Sequence, residues 1–112
     1  MTADSSAESG IRVVRDDAAE RYEILVDGRP AGFTLFEVDR HGRHVYPHTV
    51  IDPDYQGRGL AKRLVADAMA DAAARGETVV PFCPVVARYL RENEVPGLVV
   101  DWPRPPGQAD PQ

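Results

Sequence analysis

The sequence predicts a small α/β domain, a mainly antiparallel sheet whose later strands are joined by one parallel βαβ unit. Three features predict it. Short apolar runs separated by polar or glycine-containing turns fill residues 11–51, as hairpin-linked strands require. Apolar residues then recur at three-to-four-residue spacing from Leu60 to Ala72, the period of an amphipathic helix. Finally, Thr78–Phe82 is an apolar run without alternation, as expected of a strand covered on both faces.

Each element has a local reason. Ile11, Val13 and Val14 begin a first strand, and Tyr22 to Val26 make a second. Only a tight connection fits between them at Asp16 to Glu20. Asp27-Gly28 is a hairpin signal, because glycine accepts the positive φ of a tight turn, and Phe33, Leu35 and Val38 carry the next strand across Ala31 to Val38. A second turn spans Asp39 to Arg43. The strand from His44 to Ile51 contains Pro47, which cannot donate to a ladder and so predicts an edge or a bulge with imperfect pairing. The helix from Leu60 to Arg75 ends at Gly76, and strand, helix, strand here form one right-handed crossover. Pro84 suits the first turn of a last helix that runs to about Asn93, with Val85, Val86, Tyr89 and Leu90 on its apolar side. Leu98 to Trp102 is a candidate short edge strand.

Bulk properties narrow the function. A chain of 112 residues supports one core, and its net charge of −5 disfavours nucleic acid or an anionic membrane as the main partner. Cys83 is the only cysteine, so no intramolecular disulfide can form. No apolar run reaches the roughly 20 residues of a membrane span, and Met1 to Gly10 is polar and acidic, unlike a signal peptide. The expected setting is the cytoplasm. Residues 1–10 and the proline-rich 103–112 read as disordered tails around a domain at 11–102.

The chemistry centres on Gln56-Gly57-Arg58-Gly59-Leu60-Ala61. These residues lie between a strand and an amphipathic helix, so backbone N–H groups and the positive end of the helix dipole converge where an anion fits. Gly57 and Gly59 allow close backbone approach, and Arg58 can add a charge-assisted bond. The plainer alternative is a tight turn whose glycines serve geometry alone. No Gly-Lys-Ser/Thr of a P-loop and no dinucleotide-type Gly-x-Gly-x-x-Gly after the first strand is present.

This segment satisfies the Gln/Arg-x-x-Gly-x-Gly/Ala signature of the GNAT superfamily of N-acetyltransferases, which the chain resembles over residues 11–95. His48-Thr49-Val50 and Val80-Pro81-Phe82-Cys83-Pro84 with Tyr89 are similar to the short, single-domain YjdJ-type members. The resemblance implies a minimal GNAT-like fold and acetyl-CoA as co-substrate. Its pyrophosphate would lie on Gln56, Gly57, Arg58, Gly59, Leu60 and Ala61, and its pantetheine arm between strands 44–51 and 78–82, beside Val50. It implies acetyl transfer to an amine, a small molecule or a protein lysine; the charge leaves no nucleic acid or membrane partner expected, and a monomer or weak dimer is expected. Larger members place two helices between their first two strands, where this chain has only Asp16 to Glu20, so the acceptor side should be open. A non-catalytic module that binds CoA or acetyl-CoA is the alternative.

Three residues are candidates for chemistry. Tyr89 stands where the resemblance implies the acid that protonates the CoA thiolate; the alternative is a core tyrosine with its hydroxyl at the surface. His48 could take the acceptor's proton, or be a buried, hydrogen-bonded histidine. Cys83, before the helix that Pro84 opens, could carry the acetyl group as a thioester or line the acyl pocket. A zinc set from His41, His44, His48 and Cys83 lacks recognisable ligand spacing, and no metal is expected.

Overall fold

The computed structural model describes residues 10–103; the expected tails, apart from Gly10 and Pro103, lie outside them. Six strands form one sheet in sequence order: β1 (Ile11–Asp16), β2 (Arg21–Val26), β3 (Arg29–Val38), β4 (His44–Ile51), β5 (Thr78–Pro81) and β6 (Val99–Val100). Helices α1 (Leu60–Ala74) and α2 (Pro84–Glu92) pack against each other and against the sheet. The first four strands are antiparallel. Asp27 and Gly28 both take positive φ, 49° and 81°, as a two-residue hairpin turn demands. Asp39 closes the next turn by accepting the amides of both His41 and Arg43.

The expected parallel βαβ unit is present, and a second follows it. β5 pairs in parallel with β4, and β6 also pairs in parallel with β5, so α1 and α2 complete two βαβ units. The run at 98–102 contributes only two strand residues, too few for periodicity to set its direction.

Pro47 acts as anticipated. Leu35 faces His48 and Glu37 faces Val45, so two β4 residues, Tyr46 and Pro47, oppose the single Phe36 across a bulge. Parallel pairing of β4 with β5 stops at Tyr46↔Pro81, and the Cys83 N–H closes the ladder on the Tyr46 carbonyl at 2.8 Å. Beyond that bond the two strands part.

The core lies between sheet and helices: Ile24, Phe36, Tyr46, Leu64, Val65, Ala68, Met69, Val79 and Val86 are all buried. At its lower end a polar network joins distant elements. The Arg15 guanidinium donates to Tyr22 at 2.9 Å and to Glu77 at 3.0 Å, and the Tyr22 hydroxyl donates to Asp71 at 2.8 Å. His44 Nε2 stands 3.5 Å from Glu77. Burial, reinforced by the bond to Asp71, pushes the Tyr22 phenol up to about 12, and burial raises Tyr46 as well.

Two outcomes follow from this packing. A Cβ on Gly32 would stand 2.5 Å from the Val50 carbonyl oxygen, so Gly32→Ala should cost more than about 2 kcal/mol in urea unfolding by pushing β4 away. The Tyr22 shift sets an alkaline limit. A phenol protonated more tightly when folded than its ordinary 10 stabilises the fold below that pH. This contribution should disappear between about pH 10 and 12, and Tyr22→Phe should flatten that part of the stability profile.

Candidate functional site

The chain leaves β4 at Ile51 and makes a short 3₁₀ turn at Pro53–Tyr55, tied by the Asp52 carboxylate accepting the Asp54 amide. Gln56 Nε2 then donates back to the Ile51 carbonyl at 3.2 Å. Gly57 and Gly59 have φ of 81° and 74°, a region that side chains disfavour. Gly59 is the N-cap of α1 and offers no side-chain cap, and the first helical bond is Arg63 N–H to the Gly59 carbonyl. The amides of Leu60, Ala61 and Lys62 therefore have no helical partner.

A Cβ built on Gly57 or Gly59 meets no protein atom within 4 Å, so both face open space. That space is a cavity lined by Thr49, Ile51, Tyr55, Gln56, Gly57, Gly59, Leu60, Ala61 and Val85. Five of the residues expected at a pyrophosphate, Gln56, Gly57, Gly59, Leu60 and Ala61, thus surround one cavity. Arg58 is exposed, with its guanidinium 5.3 Å from the centre of the Tyr55 ring. Val50 pairs with Phe33 on the sheet face away from the helices, so its side chain lies outside this cavity.

Thr49 faces inward. Its hydroxyl is 2.8 Å from that of Thr34 and accepts from Cys83 Sγ at 3.3 Å, while Thr34 reaches the His48 carbonyl at 3.5 Å. Thr34 has no exposed surface and Cys83 is 3% exposed. Each hydroxyl or thiol has one proton, so donation runs from Cys83 to Thr49 to Thr34 to His48. Sequence reading missed this chain, because a threonine inside a β run carries only a strand signal.

The three chemical candidates do not meet. Cys83 is buried against Thr49. His48 is exposed on the opposite face of β4, across from Leu35, which removes the alternative of a buried histidine. Tyr89 lines a neighbouring groove between the helices, with Ala61, Lys62, Val65, Val85, Arg88 and Glu92. Among the described residues no group of three or more His, Cys, Asp or Glu is placed to hold a metal, and no helix is long and apolar enough to cross a membrane.

The site is thus a glycine turn that opens a helix with unpaired amides, beside two parting parallel strands of an α/β domain. A family model described as GCN5-related N-acetyl-transferase matches residues 21–96, and the chain belongs to that family. Among solved structures, the ribosomal-protein-alanine N-acetyltransferase from Brucella melitensis biovar Abortus 2308 is similar at 23% identity with a TM-score of 0.45. The similarity covers 77% of this chain and 52% of that one, so this chain spans about half the length of its neighbour. No curated protein shows significant similarity.

The Cys83 geometry makes a direct prediction. Iodoacetamide should label Cys83 slowly in the folded protein and rapidly in urea, read by intact mass. Equal rates would show that the thiol is neither buried nor held by Thr49.

Proposed function

We propose that this protein binds acetyl-CoA at the 56–61 turn and transfers the acetyl group to an amine. The observation that carries the reading is the set of unpaired amides at Leu60, Ala61 and Lys62, opening on a cavity that Gly57 and Gly59 leave free. A pyrophosphate accepting those amides would start the pantetheine arm toward Thr49, along the stretch of β4 that β5 no longer covers. Chain backbone in a parted strand offers bonding groups to the arm's amides.

Transfer needs a neutral amine to attack the thioester carbonyl, donors for the oxyanion, and a proton for the thiolate that leaves as the C–S bond breaks. At the Cys83 end of the gap the first bond of α2 is Ala87 N–H to the Cys83 carbonyl, which leaves the amides of Val85 and Val86 without a helical partner as oxyanion donors. We assign Cys83 and Thr49 to the wall of the acyl end. His48, exposed on the face away from the helices, is the candidate to accept the amine's proton. Tyr89 belongs to the adjoining groove, so Tyr89→Phe should leave turnover unchanged; a large fall in kcat at constant acetyl-CoA affinity would restore it as the thiolate's acid.

The reading is tested by calorimetry with acetyl-CoA, followed by assay of CoA thiol release with a panel of small amines and lysine peptides. Gly57→Ala and Gly59→Ala should each weaken binding at least about tenfold, because the new methyl group fills the cavity. Each also places a side chain at positive φ, costing about 1–2 kcal/mol of stability, which thermal melting measures separately. Lost stability with undiminished binding would make the turn purely structural. Binding without turnover on any amine would leave a CoA-binding module.

A further inference from the structure

The cavity at the turn is not isolated. It shares Ala61 and Val85 with the groove between α1 and α2, so the two adjoin across those residues. The floor of the groove is apolar, from Val65, Val85 and the half-buried Tyr89, and its rim carries one cation from each helix.

Those cations differ from their neighbours. Arg63 is bonded to Asp67 and Arg75 to Asp71, but Lys62 has no carboxylate within ion-pair distance among the described residues. Arg88 uses only Nε, at 3.2 Å to Glu92, so its two terminal nitrogens are free of protein partners there. Two such cations on one groove stand against a chain whose net charge is −5. Lys62 lies three residues from Gly59, or about 4.5 Å along the helix axis, within one sugar's length of the amides at the turn.

We propose that Lys62 and Arg88 form a subsite for the 3′-phosphate of the adenosine end of CoA, making the protein selective for the 3′-phosphorylated cofactor. The inference rests on the cofactor reading above and adds the course of the ligand: one arm enters the strand gap, and the adenosine turns along the α1–α2 groove. The apolar floor takes the base or ribose face, and the two cations take the phosphate from opposite sides. Arg88 has a planar fork with nitrogens to spare, and Lys62 supplies a point charge on a flexible stem. The Glu92 carboxylate is the one unfavourable charge on the groove, and it tempers the affinity.

The test compares CoA with 3′-dephospho-CoA by calorimetry on the parent, Lys62→Ala, Arg88→Ala, the double variant and Glu92→Gln, with thermal melting as a check on folding. Both cations are exposed, so the parent's preference for CoA should be about three- to tenfold, falling as salt is raised. Each single variant should reduce that preference, the double variant should abolish it without weakening 3′-dephospho-CoA, and Glu92→Gln should increase it. Equal binding of the two cofactors by the parent overturns the subsite while leaving the turn intact. A preference that survives in the double variant places the phosphate elsewhere. Binding of neither cofactor overturns the cofactor reading and the subsite with it.

Discussion

The structure turns on how little of β4 is paired with β5: three residue pairs, ending at Tyr46↔Pro81. Two features of the sequence impose the limit. Pro47 has no N–H to give, and the bulge at Tyr46-Pro47 swings the rest of β4 off the line of its neighbour. On the other side Pro84 starts α2 just after β5 ends, so the chain leaves the sheet instead of following β4 upward. The Cys83 N–H to Tyr46 bond is the last link before the gap. A longer β5 would satisfy more backbone groups within the protein and leave none for a ligand.

A sheet opened at one end must be held at the other, and the polar network around Arg15 meets that need. Burial works against the Arg15 charge, but its bonds to Glu77, Asp17 and Tyr22 hold it charged far above the usual range. Glu77 begins the return to β5, Asp71 belongs to the last turn of α1, and Tyr22 and Arg15 stand on adjacent strands. Four elements are thereby fixed to one another at the end away from the glycine turn. Removing one partner would strand a buried group, a larger loss than any one of these bonds contributes. Gly32 has a related role at the upper end, where only a residue without Cβ lets β3 approach Val50 so closely.

The legible parts of this fold were those whose cause is local. Asp27-Gly28, the Asp39–Arg43 turn and the α1 periodicity each state their geometry within a few residues, and Pro47 announced its bulge. The glycine turn was readable because strand, glycines and helix are contiguous. What escaped were relations between distant positions. Arg15 and Glu77 are 62 residues apart, and Thr34 and Cys83 meet only through Thr49. Nothing near Val99 specifies that it runs parallel to β5. The groove that sets Lys62 beside Arg88 likewise exists only after two helices pack, and in sequence both look like solvated surface.

The same geometry bears on where a second substrate approaches. Along β4 the side chains alternate, so Thr49 turns toward the helices and His48 toward the opposite face, where Leu35 and Phe33 lie beside it. Between β1 and β2 only Asp17–Glu20 intervene, too few residues for a helix, and both described helices pack together rather than on opposite sides of the sheet. The cofactor that we place at the turn would occupy the helix side. An amine reaching the thioester from the His48 side would then meet a strand face on which charged Arg21 and Glu23, with Phe33 and Val50, line an open cavity.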